Sequence, residues 1–272
     1  MNILWLDEKD CENVKITGGK ASALARLASR YLVPPGFCVL PGAPDHLIFG
    51  AYEKLGEKCG TQNPETAVRS SATDEDGMDA SFAGQYETYL NIVGASRVID
   101  AAKRCFESAR SERVAAYRSG RKHKNDDPNI AALVQQLVKA DVSAVVFSVN
   151  PVNGNDKEII INSNWGLGES IVSGIVTPDT YIISKTKFEI KERRPGHKTR
   201  MTLPHPEGNG VMEKPIPRVM ADSMSMTDAQ AVETARLALK LERESGFPVD
   251  IECAWKDEKL YLLQCRPVTT RA

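Results

Sequence analysis

Near one end of the chain, residues able to grip a metal ion or an anion recur at every second position of two otherwise apolar runs. Asp250 and Glu252 stand in the first, Gln264 and Arg266 in the second. A strand alternates its side chains, so the two members of each pair share a face. If the connection has three residues, Asp257 to Lys259, Glu252 stands opposite Gln264 and Asp250 opposite Arg266, all on one side. A two-residue turn would put the pairs on opposite faces. Two acids, an amide and an arginine on one sheet face are costly to bury unless they hold a metal and an anion. Carboxylate oxygens suit Mg²⁺, which keeps part of its water and binds phosphate through a few protein ligands. A solvent-facing ladder of salt bridges is the competing arrangement.

Three further stretches have chemistry within reach. Gly18-Gly19-Lys20 precedes Ala21, Leu24, Leu27 and Ala28 at helical spacing. A glycine loop opening a helix offers backbone N–H groups, a positive helix end and one ammonium, a set that suits phosphate. The G-x-x-x-x-G-K-[ST] spacing is absent, so a Walker-type loop is not supported, and a turn with a solvated lysine competes. Arg69 ends a brief apolar strand just before a loop with Ser70, Ser71 and Thr73. Its guanidinium could clasp phosphate oxygens while the hydroxyls and loop amides complete the cradle, or it could pair with Asp74, Glu75 or Asp76. Gly166-Leu167-Gly168-Glu169-Ser170 has the pattern of a strand-to-helix glycine loop, which is common in turns and decides nothing alone. Glu169 is there either a ligand contact or a first-turn acid favoured by the helix dipole. The six cysteines are scattered, with no C-x-x-C pair and no histidine at finger-like spacing, and read as reduced core residues.

These residues need a mixed set of elements to position them. Strands are expected at Ile3 to Leu6 and Phe37 to Leu40, with Val33-Pro34-Pro35-Gly36 stopping the helix between them. A helix is expected through Ala51 to Lys58, bounded by Gly50 and Gly60, then a strand over Tyr86 to Val93 and a long helix over Ser96 to Ser119. Lys122 to Pro128 reads as a linker. Beyond it strands are expected at Ile130 to Val138, Ala144 to Val149, Glu158 to Asn162, Tyr181 to Ser184, Ile251 to Trp255 and Leu260 to Cys265. One helix, Thr227 to Ser245, interrupts them, with Thr227 or Asp228 as N-cap and Gly246-Phe247-Pro248 as its stop. The expected fold is α+β with two lobes, 1–120 and 125–272.

The 272 residues carry 35 Lys plus Arg against 36 Asp plus Glu. With no basic excess there is no general footprint for nucleic acid. The one basic run, Arg118, Arg121, Lys122, His123 and Lys124, reads as a solvated helix end and connector or as a contact to a phosphate or partner. No apolar stretch approaches the roughly 18 residues of a membrane helix. The start of the chain has no leader-like pattern, and a cytoplasmic location is expected.

Eight blocks in order along the chain resemble the N-terminal ATP-binding domain of the phosphoenolpyruvate synthase, pyruvate phosphate dikinase and rifampicin phosphotransferase family. They are Gly18 to Ala21, Val33 to Phe37, Val68 to Ala72, Ser81 to Asn91, Gly166 to Gly174, Thr177 to Asp179, Asp250 to Glu252 and Leu263 to Val268. The resemblance implies an ATP-grasp-like fold whose two lobes hold Mg-ATP, here with a shortened N-terminal lobe, because the stretch from Lys20 to Arg69 is shorter than usual. It also implies ATP and Mg²⁺ as cofactors. Lys20, Arg69 and Arg266 match phosphate-binding, catalytic positions, and Gly84 and Thr88 lie at the nucleotide. Gln135, Gln136, Leu137 and Val138 match the segment beside adenine, where backbone contacts are expected. Glu169 matches a nucleotide contact, while Glu252 and Gln264 match metal ligands.

Family members pass the β-phosphate of ATP to a histidine on a separate swivelling domain, with AMP as product, and then to a small-molecule acceptor. None of His46, His123, His197 or His205 lies in the Thr-Ser-His-Ala type motif of that carrier, and no acceptor domain is read. The expectation is an ATP-dependent phosphotransferase part that needs a phosphohistidine partner, with no nucleic-acid or membrane partner. A non-catalytic nucleotide-binding or interaction module, or a stand-alone ATP-grasp-like ligase, are the alternatives.

Overall fold

The first α-helix ends at Ala28, short of the prolines expected to stop it, and Pro34 and Pro35 feed the chain directly into a sheet. The computed structural model describes residues 2–73, 87–108 and 130–269. The chain divides into two units, Met1–Leu137 with His205–Gly210, and Val138–Pro204 with Val211–Ala272.

In the first unit the described strands are β1 (Ile3–Trp5), β2 (Gly36–Val39), β3 (Thr66–Ala72), β4 (Thr88–Ile92) and β5 (Ile130–Gln136). They form an antiparallel sheet in the order β1-β2-β5-β3-β4. Helices α2 (Asp45–Cys59) and α3 (Ala95–Ser108) bury an apolar core with one face, built from Trp5, Phe37, Val39, Tyr52, Leu55, Val68, Val98 and Val134. Tyr52 Oη donates to Pro64 O at 2.9 Å and accepts from Gly94 N at 2.8 Å, so the polar tip of a buried ring is satisfied. The other face carries α1 (Val14–Ala28). Asn91, left-handed at φ 58°, donates through its amide to His205 O and Gly210 O at 2.9 and 2.8 Å. Its carbonyl accepts from Asn209 N at 2.6 Å, which explains why residues 205–210 belong to this unit.

In the second unit β6 (Val142–Phe147), β7 (Glu158–Trp165), β8 (Asp179–Ser184), β9 (Ile190–Arg194), β12 (Val249–Lys256) and β13 (Lys259–Pro267) form an antiparallel sheet in the order β13-β12-β6-β7-β8-β9. A separate hairpin pairs β10 (Arg200–Pro204) with β11 (Val211–Pro215). The short helices α4 (Glu169–Val172) and α5 (Arg218–Ala221) lie in connections, and α6 (Asp228–Ser245) packs on the sheet. Buried Ala231, Ala235 and Ala238 line its inner side, and Trp255 Nε1 donates to Thr234 Oγ1 at 3.0 Å. A capping box between Thr227 and Gln230 starts α6, and Gly246 at φ 76° ends it.

Beside β8 lies a buried ion pair, Asp179 with Lys198, both side chains 0% exposed and 2.5 Å apart. Asp179 Oδ1 also accepts from Gly196 N at 2.8 Å, and Oδ2 accepts from Ser225 N and Oγ at 2.6 and 2.7 Å. Four donors on one carboxylate satisfy it fully, the condition under which a buried charge is tolerated.

Several sequence expectations change. The strand at Arg69 does not give way to a loop: β3 continues through Ala72 because Ser70 and Ser71 pair with Ala132 and Ala131. Helix α2 starts at Asp45 and runs through Gly50, since tertiary packing overrides one glycine. The division between units falls after Leu137, not within 120–125, because β5 sits in the middle of the first sheet. Strands β9, β10 and β11 escaped notice, being short and rich in charge. The linker Lys122 to Pro128, the basic run from Arg118, the acids Asp74 to Asp76 and the C-terminal part of the helix expected to Ser119 lie outside the described residues.

Candidate functional site

In the first unit the glycine segment is a kink rather than a loop. Asn13 caps α1 by accepting from Lys15 N at 3.1 Å, and the first turn runs until Gly18 at φ 78°, ψ 174° breaks it. A Cβ on Gly18 would lie 2.2 Å from Ser71 O, so both the dihedral and the close approach require glycine. Ser71 Oγ donates to Thr17 O at 2.7 Å and accepts from Ala21 N at 3.0 Å, serving from β3 as the cap of the resumed helix. The kink sets Lys20 against β3, where Nζ donates to Ser70 O at 3.3 Å. Arg69 shares its face with Ser71 and stands directly opposite Thr88 of β4. Lys20, Arg69 and Thr88 are therefore set around one stretch of β3.

Two of the three hydroxyls that could complete a phosphate cradle, Ser70 and Ser71, are taken up within the fold. Ser70 and Ser71 are fully buried, Ser70 Oγ donating to Glu87 O at 3.3 Å and Ser71 capping α1. A serine two residues from an arginine on a strand reads equally as ligand or cap, and here it is a cap. In the segment matched to adenine, the Gln135 side chain is buried and donates to Pro34 O at 3.0 Å. Gln136 N donates to Pro35 O at 2.9 Å and Leu137 N to Glu65 O at 2.8 Å, so these two amides serve the sheet. Val138 begins the second unit. Gly84 lies outside the described residues.

The second unit presents the acid, amide and arginine set as the spacing argument requires, by a different route. The turn has two residues, Asp257 and Glu258, with φ of 48° and 60°, and Lys256 pairs with Lys259. That register would split the pairs between faces, but a β-bulge beside Glu252 leaves Leu263 as an extra residue. Past it Glu252 pairs with Gln264 and Asp250 with Arg266. Asp141 braces the turn, taking Lys256 Nζ at 2.9 Å and Asp257 N at 3.3 Å, and the Lys256 ammonium holds its carboxyl below the usual range.

Arg266 reaches Asp250 Oδ2 with Nε at 2.9 Å and Nη2 at 2.8 Å, and Asp250 and Gln264 are nearly buried. The sequence put Asp250 on this face; its hold on Arg266 emerges only from the structure. Neighbouring β6 and β7 continue the face with Val145 and Asn162 opposite Glu252. Among the described residues no group of three His, Cys, Asp or Glu could hold a metal. Glu252 and Gln264 supply a carboxylate and an amide oxygen side by side, a donor set that fits Mg²⁺ sharing its shell with water and phosphate.

Glu169 is exposed at the start of α4, on a turn braced from beneath. Ser143 Oγ donates to Gly166 O at 2.8 Å, Leu167 N donates to Thr202 O at 2.9 Å, and Asn164 Nδ2 donates to Ser170 Oγ at 2.9 Å. Ser143 and Asn164 had drawn no attention in the sequence. The cysteines are reduced; burial pushes the Cys105 thiol up to about 11 and Cys253 up to about 12, leaving neither a thiolate nucleophile.

Residues 40–272 match the family described as pyruvate phosphate dikinase, AMP/ATP-binding domain. The chain belongs to this family. Among relatives of the pyruvate phosphate dikinase AMP/ATP-binding family, a probable phosphoenolpyruvate synthase of Methanocaldococcus jannaschii is 35% identical over 98% of the chain and 27% of that protein. A probable phosphoenolpyruvate synthase of Pyrococcus abyssi is 43% identical over 81% of the chain and 28% of its own length. An uncharacterized phosphotransferase, YvkC of Bacillus subtilis, is 42% identical over 75% of the chain and 24% of its own length. The chain thus spans about a quarter of these curated relatives. The first match spreads 98% of the chain over 317 aligned positions, so that relative carries about 50 positions this chain lacks. A solved D-alanyl-alanine synthetase A from Vibrio cholerae is 12% identical over 92% of the chain and 55% of that protein, with a TM-score of 0.37, too slight a likeness to carry weight. Among the described residues no helix is long and apolar enough to cross a membrane.

Proposed function

We propose that this chain is the Mg-ATP-binding part of a dikinase-type phosphotransferase, in which the β-phosphate of ATP passes to a histidine on a separate domain, AMP is released and the γ-phosphate leaves on water as inorganic phosphate. The observation that carries the reading is the register of β12 and β13, which sets Glu252 beside Gln264 and Arg266 beside Asp250 in a chain of this family. Mg²⁺, when bound with the nucleotide, would neutralise phosphate charge. Glu252 and Gln264 would hold it by their oxygens. Lys20, Arg69 and Arg266, the last oriented by Asp250, are read as phosphate-binding cations, since drawing charge off the transferring group is the main work of phosphoryl-transfer catalysts. Thr88 and Glu169 contact the nucleotide, and Gln135 to Val138 shape the base pocket, Gln135 by holding Pro34. The acceptor histidine and the final small-molecule acceptor belong to other domains or subunits.

The test is calorimetric titration of ATP with Mg²⁺ into the parent chain and into folded Arg69→Ala and Glu252→Ala variants. At least a tenfold loss in both is expected, equivalent to about 1.4 kcal/mol. AMP release on adding a phosphohistidine domain then tests the dikinase step. The positions that the M. jannaschii relative has and this chain lacks favour a second reading, a partner-completed module; a folded parent that binds no ATP alone would select it.

A further inference from the structure

Asn164 is wholly buried in β7, and its Oδ1 has no hydrogen-bond partner among the described residues. A leucine of similar size would avoid that unmet acceptor, so what the amide adds to the fold lies in its two donors. Nδ2 reaches Ser170 Oγ at 2.9 Å and Arg200 O at 3.2 Å. Because Arg200 O can only accept, the amide cannot turn over to satisfy Oδ1 without facing oxygen with oxygen.

One side chain thus joins the turn that carries Glu169 to the start of β10. The same turn is held at its other end by Thr202, which accepts from Leu167 N and lies so near Gly166 that a Cβ there would be 2.4 Å from Thr202 O. Gly166, at φ 75°, supplies the bend, and Ser143, opposite Asn164 in register, holds its carbonyl. Three of these bonds end on residues 166, 167 and 170, on both sides of the exposed Glu169, and the fourth ties Asn164 to β10.

We propose that Asn164 is a positioning residue for nucleotide binding, acting through Glu169 by clamping the Gly166–Ser170 turn between β7 and β10. The inference rests on the reading of Glu169 as a nucleotide contact.

The experiment is a double-mutant cycle of Asn164→Leu and Glu169→Ala, read as Mg-ATP affinity, with Ser170→Ala as a second way to release the clamp. Asn164→Leu removes the unmet acceptor as well as the donors, so the fold is expected to survive, checked by thermal melting. The expected result is about a tenfold weaker affinity for Asn164→Leu in the parent and less than twofold in the Glu169→Ala background. Equal losses in both backgrounds, or no loss in the parent, would overturn the proposal. If Glu169→Ala leaves affinity intact, the nucleotide role of Glu169 fails instead. Hydrogen exchange at residues 167–171 then decides the clamp: faster exchange in Asn164→Leu supports it and unchanged exchange overturns it.

Discussion

Replacing Asp179 by Asn keeps the shape of the side chain and removes its charge. Its two oxygens receive four donors: Lys198 Nζ at 2.5 Å and Gly196 N at 2.8 Å on one, Ser225 N and Oγ at 2.6 and 2.7 Å on the other. An amide has one accepting end, so in either orientation its NH₂ faces two groups that also donate. Lys198, with a 0% exposed side chain, would be left without its counter-charge. Breaking a buried pair on one side costs about 3–5 kcal/mol. Lys198→Met leaves Asp179 with three donors and should cost less, about 1–3 kcal/mol. The double variant should lose less than the sum of the two, because the stranded charge is gone. Urea unfolding followed by tryptophan fluorescence, in a Trp5→Phe background that silences the first unit, reads the second unit through Trp165 and Trp255. A loss below about 1 kcal/mol in Asp179→Asn would refute the claim that this network holds the segments at Gly196 and Ser225 in place.

Gly18→Ala should cost about 1–3 kcal/mol and weaken Mg-ATP binding, since it forbids φ 78° and drives a methyl into Ser71 O; unchanged melting and affinity would contradict the kink. Glu158 receives Lys191 Nζ and Asn150 Nδ2, which hold its carboxyl below the usual 4.5. A depressed carboxyl stabilises the fold above its unfolded value and loses that contribution as pH falls through the folded one. The melting difference between parent and Glu158→Gln should therefore be present at neutral pH and close in acid. Glu258→Gly, relieving φ 60° in the hairpin turn, should raise stability by about 1 kcal/mol in denaturant titration; a fall would mean the side chain contributes a contact that outweighs the strain.

Much of the fold could be read from alternation and punctuation. Thr227 and Gly246 bound α6 because a capping hydroxyl and a left-handed glycine are local devices. The face shared by Glu252, Gln264, Asp250 and Arg266 was legible for the same reason, since side-chain parity on a strand is local. What escaped depends on partners distant in sequence. Ser71 looked like a phosphate ligand because nothing near it shows that Thr17 and Ala21 occupy its hydroxyl. β5 was assigned to the wrong lobe because its neighbours, β2 and β3, lie far upstream. Asn164 was invisible because it ends the polar run Asn162-Ser163-Asn164, in which nothing local tells which amide is buried or what it holds.

The bulge at Leu263 also bears on how such hairpins tolerate change in length. A two-residue turn plus one extra residue in the strand gives the same parity downstream as a three-residue turn with none. Insertions and deletions can therefore migrate between turn and strand in pairs without disturbing Gln264 and Arg266. Deleting Leu263 itself leaves Gln264 opposite Glu252 and Arg266 opposite Asp250, whereas drawing Leu263 into the ladder would swap the faces of everything after it, setting Leu263 opposite Glu252 and Cys265 opposite Asp250. Such a slip would leave composition, charge and length untouched, yet the polar face would be dismantled. For chains built like this one, an alignment gap near the second strand of the hairpin is thus informative only when it is known whether it falls on the bulged residue or in the ladder.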